Sequence, residues 1–207
     1  MHPFFHDPAR CQLLAAEAAL WQGTRFFKGS CARGHGVDCV RYAHALLRVC
    51  GAVPVAFDFP AYDLDHGRHS HTPQLLITLL THPALVGRFA LTPPAAPRLP
   101  GDLYGLRSGR ADHHLAIHLP DGNVTHALEH HGVVIHPASD ENFQRRILYI
   151  LRPVEAPLLT AGASETSASP AYAPASPAPK YKTGAVPPPP ATPPPPPPCD
   201  SPPPPPK

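Results

Sequence analysis

No run of about 20 apolar residues occurs in this 207-residue sequence, so it offers no transmembrane helix. The formal charge is only +2, and Lys and Arg form no block or stripe, so composition carries no nucleic-acid signal. The start, Met1-His2-Pro3-Phe4-Phe5-His6-Asp7, lacks a basic segment followed by an apolar one. No Sec-type leader is therefore expected, and the protein is expected to be made in the cytoplasm. Any action at a cell wall or in a particle would need another route of delivery. The five cysteines are odd in number, far apart and without a CxxC pair, which argues against a disulfide framework and for reduced thiols.

Proline and histidine are what the sequence has in excess. Of 33 prolines, most crowd the last quarter, in runs at 187–190, 193–198 and 202–206. Such a segment cannot bury a core and reads as extended polyproline II. The chain therefore divides into one domain over 1–153 and a disordered Pro/Ala/Ser-rich tail over 154–207. The tail is either a spacer or a ligand for an aromatic-groove, SH3-like partner. Fifteen histidines make the charge strongly pH-dependent between about pH 5 and 7.

Asp7-Pro8 reads as a cap with proline at the first helical position, opening a helix that ends at Gly23. Asp38 is a second cap, and Val40, Ala43, Leu46, Leu47 and Cys50 then recur at helical spacing up to Gly51. Ser70 or Thr72, ahead of Pro73, predicts a third helix through Leu75, Leu76, Leu79 and Leu80. The proline-rich stretch 90–100 reads as loop. From Gly101 the pattern turns strand-like, with short strands at 103–106, 115–119, 123–128, 133–135 and 147–151. Helices followed by a run of strands predict an α+β fold, with an antiparallel sheet and the helices on one face.

Cys39 falls in the first turn of its helix, where free N–H groups and the helix dipole favour a thiolate. Pro120-Asp121-Gly122 has the chemistry of a three-residue hairpin loop. With that loop Leu119 faces Asn123, Ala116 falls opposite His126, and His114 lies diagonal to His126 on the same sheet face. A loop one residue shorter would put the two imidazoles on opposite faces. The parts of a cysteine-nucleophile triad result: Cys39 as nucleophile, His114 as general base and later acid, His126 as the residue that orients His114. A bell-shaped pH–rate profile follows from such a pair.

The ordered segments Gly23-Thr24-Arg25-Phe26, Gly36-Val37-Asp38-Cys39-Val40, Pro100-Gly101-Asp102-Leu103, His114-Leu115-Ala116-Ile117 and Asp121-Gly122-Asn123-Val124-Thr125-His126-Ala127 resemble the NlpC/P60 family of papain-like cysteine peptidases. The likeness covers about residues 7–153 and looks closest to the branch found with phage tail proteins. It implies a papain-like α+β fold and cleavage of the γ-D-glutamyl to diamino-acid bond in peptidoglycan stem peptides, with no cofactor. It also implies Cys39, His114 and His126 as catalytic residues, with Asp38, Arg41 and Phe26 at the cleft.

Two positions depart from the family pattern. Arg41 stands where a small residue usually follows the nucleophile's neighbour. Phe26 and Phe27 stand where a tyrosine often helps hold the oxyanion, which leaves that task to backbone N–H groups. These departures frame the alternative: a weakened or inactive domain kept as a phage-tail or assembly component. A zinc site among His113, His114, His118, His126, His130, His131 and His136 competes as well. No carboxylate or Cys recurs there at ligand spacing, so no metal is expected. Asp112 reads as a turn former.

Overall fold

The computed structural model describes residues 2–65 and 69–155, with Ser108 described by its backbone alone. A single 3-10 turn, Phe4–His6, leads into α1, Pro8–Trp21. The Asp7 carboxylate accepts the Ala9 N–H at 2.9 Å with Pro8 at the first helical position, as the local chemistry requires. After α1, β1 (Cys31–Ala32) and β2 (Gly36–Val37) form a small antiparallel ribbon. Helix α2, Cys39–Val49, follows directly, with Asp38 as its cap.

Helix α3, Gln74–Thr81, starts without the expected serine or threonine cap: Pro73 stands at the cap position and makes no side-chain bond. The Leu76 N–H is satisfied from elsewhere, by the Asp112 carboxylate at 2.9 Å. Asp112 is therefore no turn former. It is buried in a strand and also accepts the Tyr149 hydroxyl, tying the helix start to the sheet.

The sheet has six strands: β3 (Phe89–Leu91), β4 (Leu103–Ser108), β5 (Ala111–His118), β6 (Asn123–Leu128), β7 (Gly132–Pro137) and β8 (Ile147–Pro153). Their order is β3-β8-β4-β5-β6-β7, and every pairing is antiparallel. Five were expected. The sixth, β3, lies at the edge of the segment read as loop and gains its identity by pairing Phe89–Leu91 with the end of β8. A one-turn helix, α4 (Glu141–Gln144), precedes β8.

Both sheet faces are covered, unequally. Helices α1 to α3 share the main core with Leu103, Leu115, Ile117, Ala127 and Leu151 on one face. On the other, Phe143 of α4 covers a smaller cluster with Tyr104, Leu106, Ala116, Val124 and Ile150. The buried Asp102 receives Arg152 at 2.8 and 2.9 Å, fastening β8 beside the start of β4. Val154 bridges Pro3, and the Glu155 N–H reaches the His2 carbonyl at 3.0 Å. The tail expected over 154–207 lies, beyond Glu155, outside the described residues. Among the described residues no helix is long and apolar enough to cross a membrane.

Candidate active site

The site begins with the start of α2. Asp38 is fully buried, and its carboxylate accepts the N–H groups of Val40 and Arg41 at 3.1 and 2.9 Å and that of Gly29 at 2.8 Å. Tyr62, which nothing in the sequence singles out, donates its hydroxyl to the same carboxylate at 2.6 and 2.8 Å. Four donors thus fix one acid, and through it the first helical residue, Cys39. Asp38 works beneath the cleft rather than on its wall.

The β5–β6 hairpin has the register its loop chemistry demanded, with Ile117 opposite Thr125 and His118 opposite Val124. Ladder pairing stops there, because the two strands splay beyond Ile117. That splay leaves the outward backbone groups of β5 without strand partners, and the Cys39 thiol fills the gap. Its sulfur lies 3.6 Å from the His113 carbonyl. His114, between those two residues, turns its ring to the sheet face shared with His126. The rings meet as the diagonal register predicts, Nε2 of His114 lying 2.9 Å from Nδ1 of His126.

Cys39, His114 and Phe26 line one cleft of about 410 Å³, together with Lys28, His113 and Arg146. A neighbouring depression of about 540 Å³ shares Phe26, Lys28, Glu129, His130 and His131 with it. Phe26 is held there by a parallel bridge to Val37, just ahead of the Asp38 cap. The far wall is brought close by Gly132 at φ +73°, where a Cβ would stand 2.3 Å from the Thr24 carbonyl oxygen. The Val133 N–H donates to the Thr24 carbonyl at 2.8 Å, and the Val133 carbonyl accepts from the Gly23 N–H at 2.9 Å. Arg41 does not reach the cleft lining; its guanidinium points to Asp58, 3.5 Å away.

The electrostatics differ from the sequence expectation. Cys39 is 1% exposed, and burial, helped by the Asp38 charge, pushes its thiol up to about 12. Amides of Leu115, Cys39 and Val40 oppose this shift and are outweighed. Burial, with His126 adding to it, holds His114 well below the ordinary imidazole range, and burial followed by His136 pushes His126 down to about 3. Desolvation thus outweighs the helix dipole, and burial favours the neutral forms of both the Cys39 thiol and the His114 imidazole, which line the same cleft. A protonated thiol can donate to the His113 carbonyl, 3.6 Å away.

Sequence reasoning also missed His136 as a member of this cluster. Its Nε2 lies 2.9 Å from Nε2 of His126, and Phe143 packs edge-on against both rings with centroids 5.5 and 5.9 Å away. Among the described residues no group of three or more His, Cys, Asp and Glu side chains is arranged to hold a metal ion. Cys11, Cys39 and Cys50 are free thiols.

No family model and no curated protein matches the chain. Among solved structures it is similar to an NlpC/P60 family protein from Bacillus cereus ATCC 10987, at 17% identity over 70% of this chain and 40% of that one, with a TM-score of 0.47. It is similar also to a Staphylococcus aureus subsp. aureus Mu50 protein described as similar to lipoprotein, NLP/P60 family, at 17% identity over 74% and 44%, with a TM-score of 0.50. A third is the NlpC/p60 domain of the peptidoglycan hydrolase SagA, at 17% identity over 68% and 97%, with a TM-score of 0.41. The chain spans less than half the length of the first two. Helices on an antiparallel sheet, with the likeness to the staphylococcal protein, give the chain the α+β, papain-like fold of NlpC/P60 proteins.

Proposed function

We propose that the chain is a cysteine-dependent hydrolase that opens a peptide or isopeptide bond of a peptidoglycan stem peptide through a Cys39 thioester. The observation that carries this reading is the presence of Cys39 and His114 on one cleft, with His126 hydrogen-bonded to His114. The capped start of α2 supplies Cys39, the splayed strand β5 supplies His114, and β6 supplies His126 behind it. In the reaction, the Cys39 proton passes to His114 as the sulfur attacks the carbonyl carbon. His114 returns that proton to the leaving amine, and water, deprotonated by the same imidazole, releases the acyl group. The Asp38 cap occupies the N–H groups of Val40 and Arg41, so the Cys39 N–H is the helix-start donor left for the developing oxyanion. The groove continuing past Phe26 toward His130 and His131 suits an extended peptide, and Arg146 on its wall suits a carboxylate of such a peptide, while Lys28 is paired with Asp63 and Asp65.

One observation favours a second reading, a weakened domain kept as an assembly or phage-tail component. Phe26, on the cleft wall, offers no hydroxyl to an oxyanion, and the loss of one such donor costs about 100-fold in rate. Mass spectrometry of muropeptide digests separates the two. Fragments released by the wild-type chain and not by Cys39→Ala establish the peptidase and name the bond. A folded wild-type chain that releases none sinks the peptidase reading and favours the second.

A further inference from the structure

We propose that His136 is a positioning residue for the Cys39–His114 pair: through His126 it fixes which nitrogen of His114 carries the proton, leaving Nδ1 free to act as the base. The inference deepens the cysteine-hydrolase reading and concerns the state of the base rather than the identity of the substrate.

Three hydrogen bonds run in series across three adjacent strands. His136 on β7 places Nδ1 3.1 Å from the Pro137 carbonyl oxygen and Nε2 2.9 Å from Nε2 of His126. His126 on β6 places Nδ1 2.9 Å from Nε2 of His114 on β5. A carbonyl oxygen only accepts, whereas a neutral imidazole has one donor and one acceptor. The Pro137 oxygen therefore requires N–H at Nδ1 of His136, which makes Nε2 of that ring an acceptor. His126 must then donate from Nε2 and accept at Nδ1, and His114 must donate from Nε2. Each choice follows from the one before it. The nitrogen left with a lone pair is Nδ1 of His114, a residue lining the same cleft as the thiol. Running the series the other way sets a lone pair of His136 against a carbonyl oxygen and moves the His114 proton to Nδ1, where it blocks proton transfer from sulfur. A misassigned tautomer in a hydrolase triad is costly in this way.

The placement follows from register. His136 pairs with Val124 and His126 with Val134, so His136 is diagonal to His126 just as His126 is diagonal to His114. Phe143 packs edge-on against His126 and His136 and holds both rings in that plane of contact. His136 is half-buried, while His114 and His126 are buried, so it is the member where a substitution disturbs packing least.

The test is a two-bond 1H–15N spectrum of the full chain with 15N-histidine at pH 7.5, rings assigned by single His→Gln variants. The expected result is the Nε2–H tautomer for His114 and His126 and the Nδ1–H tautomer for His136. His136→Leu, which removes the acceptor, is expected to move at least half of His114 to the Nδ1–H form. His136→Gln, whose side-chain oxygen can accept from His126, is expected to keep it at Nε2–H. An Nδ1–H tautomer for His114 in the wild type overturns the proposal, as does a His114 tautomer unchanged in folded His136→Leu. Should the leucine variant not fold, the wild-type spectrum alone still decides. No substrate enters this experiment, so silent muropeptide digests overturn the peptidase reading without touching this one. With active protein, kcat falls in step with the Nε2–H fraction, about tenfold if one tenth remains, while KM holds and His136→Gln restores the rate.

Discussion

Alkylation of Cys39 by iodoacetamide tests the electrostatics of the site directly. A thiol pushed up to about 12 is ionised to only about 3 parts in 100,000 at pH 7.5, against about one tenth for an ordinary cysteine, a deficit of about 3,000-fold. A more basic thiolate is also a better nucleophile, which at a Brønsted slope of about 0.45 returns about 40-fold. Cys39 should therefore alkylate about 100-fold more slowly than free cysteine at pH 7.5. Its rate should rise about tenfold per pH unit from 6 to 9 without a plateau. Peptide mapping by mass spectrometry separates Cys39 from Cys11 and Cys50, which are also free. His114→Ala should change the rate little, because a neutral imidazole does not hold a thiolate. A plateau reached by pH 5 at a rate above that of free cysteine, lost in His114→Ala, would refute the argument and establish a thiolate–imidazolium pair instead. The same shifts bear on the bell-shaped hydrolysis profile read from the sequence. Its acid limb moves below the ordinary imidazole range and its alkaline limb upward, giving a flat top between about pH 6 and 9.

Two perturbations probe the scaffold. His126 stays neutral in the folded chain down to about pH 3, whereas an unfolded imidazole protonates near pH 6.5. Its contribution is thus fully present above about pH 6.5 and is lost as pH falls from there toward 3. At pH 5 about 2 kcal/mol should have gone, with His114 adding a change of the same sign, and equal urea midpoints at pH 7.5 and 5.0 would sink the reasoning. Gly105→Ala should cost at least about 2 kcal/mol, since its Cβ would lie 2.0 Å from the Tyr149 ring and would push that hydroxyl off Asp112. A wild-type melting temperature for Gly105→Ala would show that the Tyr149 contact is dispensable.

Legibility in the sequence followed the range of the interactions. Asp7-Pro8 and Asp38 act on N–H groups two or three residues away, and both helix starts were readable from the residues alone. The Pro120-Asp121-Gly122 loop likewise decides its register locally, and the contact between His114 and His126 follows from it. What escaped reading depends on partners far along the chain. Asp112 caps α3 across 36 residues, Tyr62 reaches Asp38 across 24, and β3 is a strand only because β8 lies beside it. The charge state of Cys39 escaped for the same reason. The helix dipole is a local property that the sequence displays, whereas the desolvation that outweighs it comes from the sheet closing over the sulfur.

His136 is the instructive omission, because the arithmetic that located His126 also locates it. The loop Glu129-His130-His131 has three residues, as Pro120-Asp121-Gly122 does, and sets Leu128 against Gly132. From that pairing His136 falls opposite Val124 and diagonal to His126, one strand further along the same face. In a chain with fifteen histidines a single diagonal pair is weak evidence of design, since chance supplies some. Two successive diagonals ending on a carbonyl oxygen are a different matter. A zinc reading treats the seven histidines of residues 113–136 as interchangeable donors, but their hydrogen bonds separate them. His114, His126 and His136 come together as a directed hydrogen-bond series, while His118 turns to the Tyr104 hydroxyl at 3.0 Å. Strand parity and loop length, both written in the sequence, put His114, His118, His126 and His136 on one sheet face, and the hydrogen bonds made there by the folded chain separate His118 from the other three.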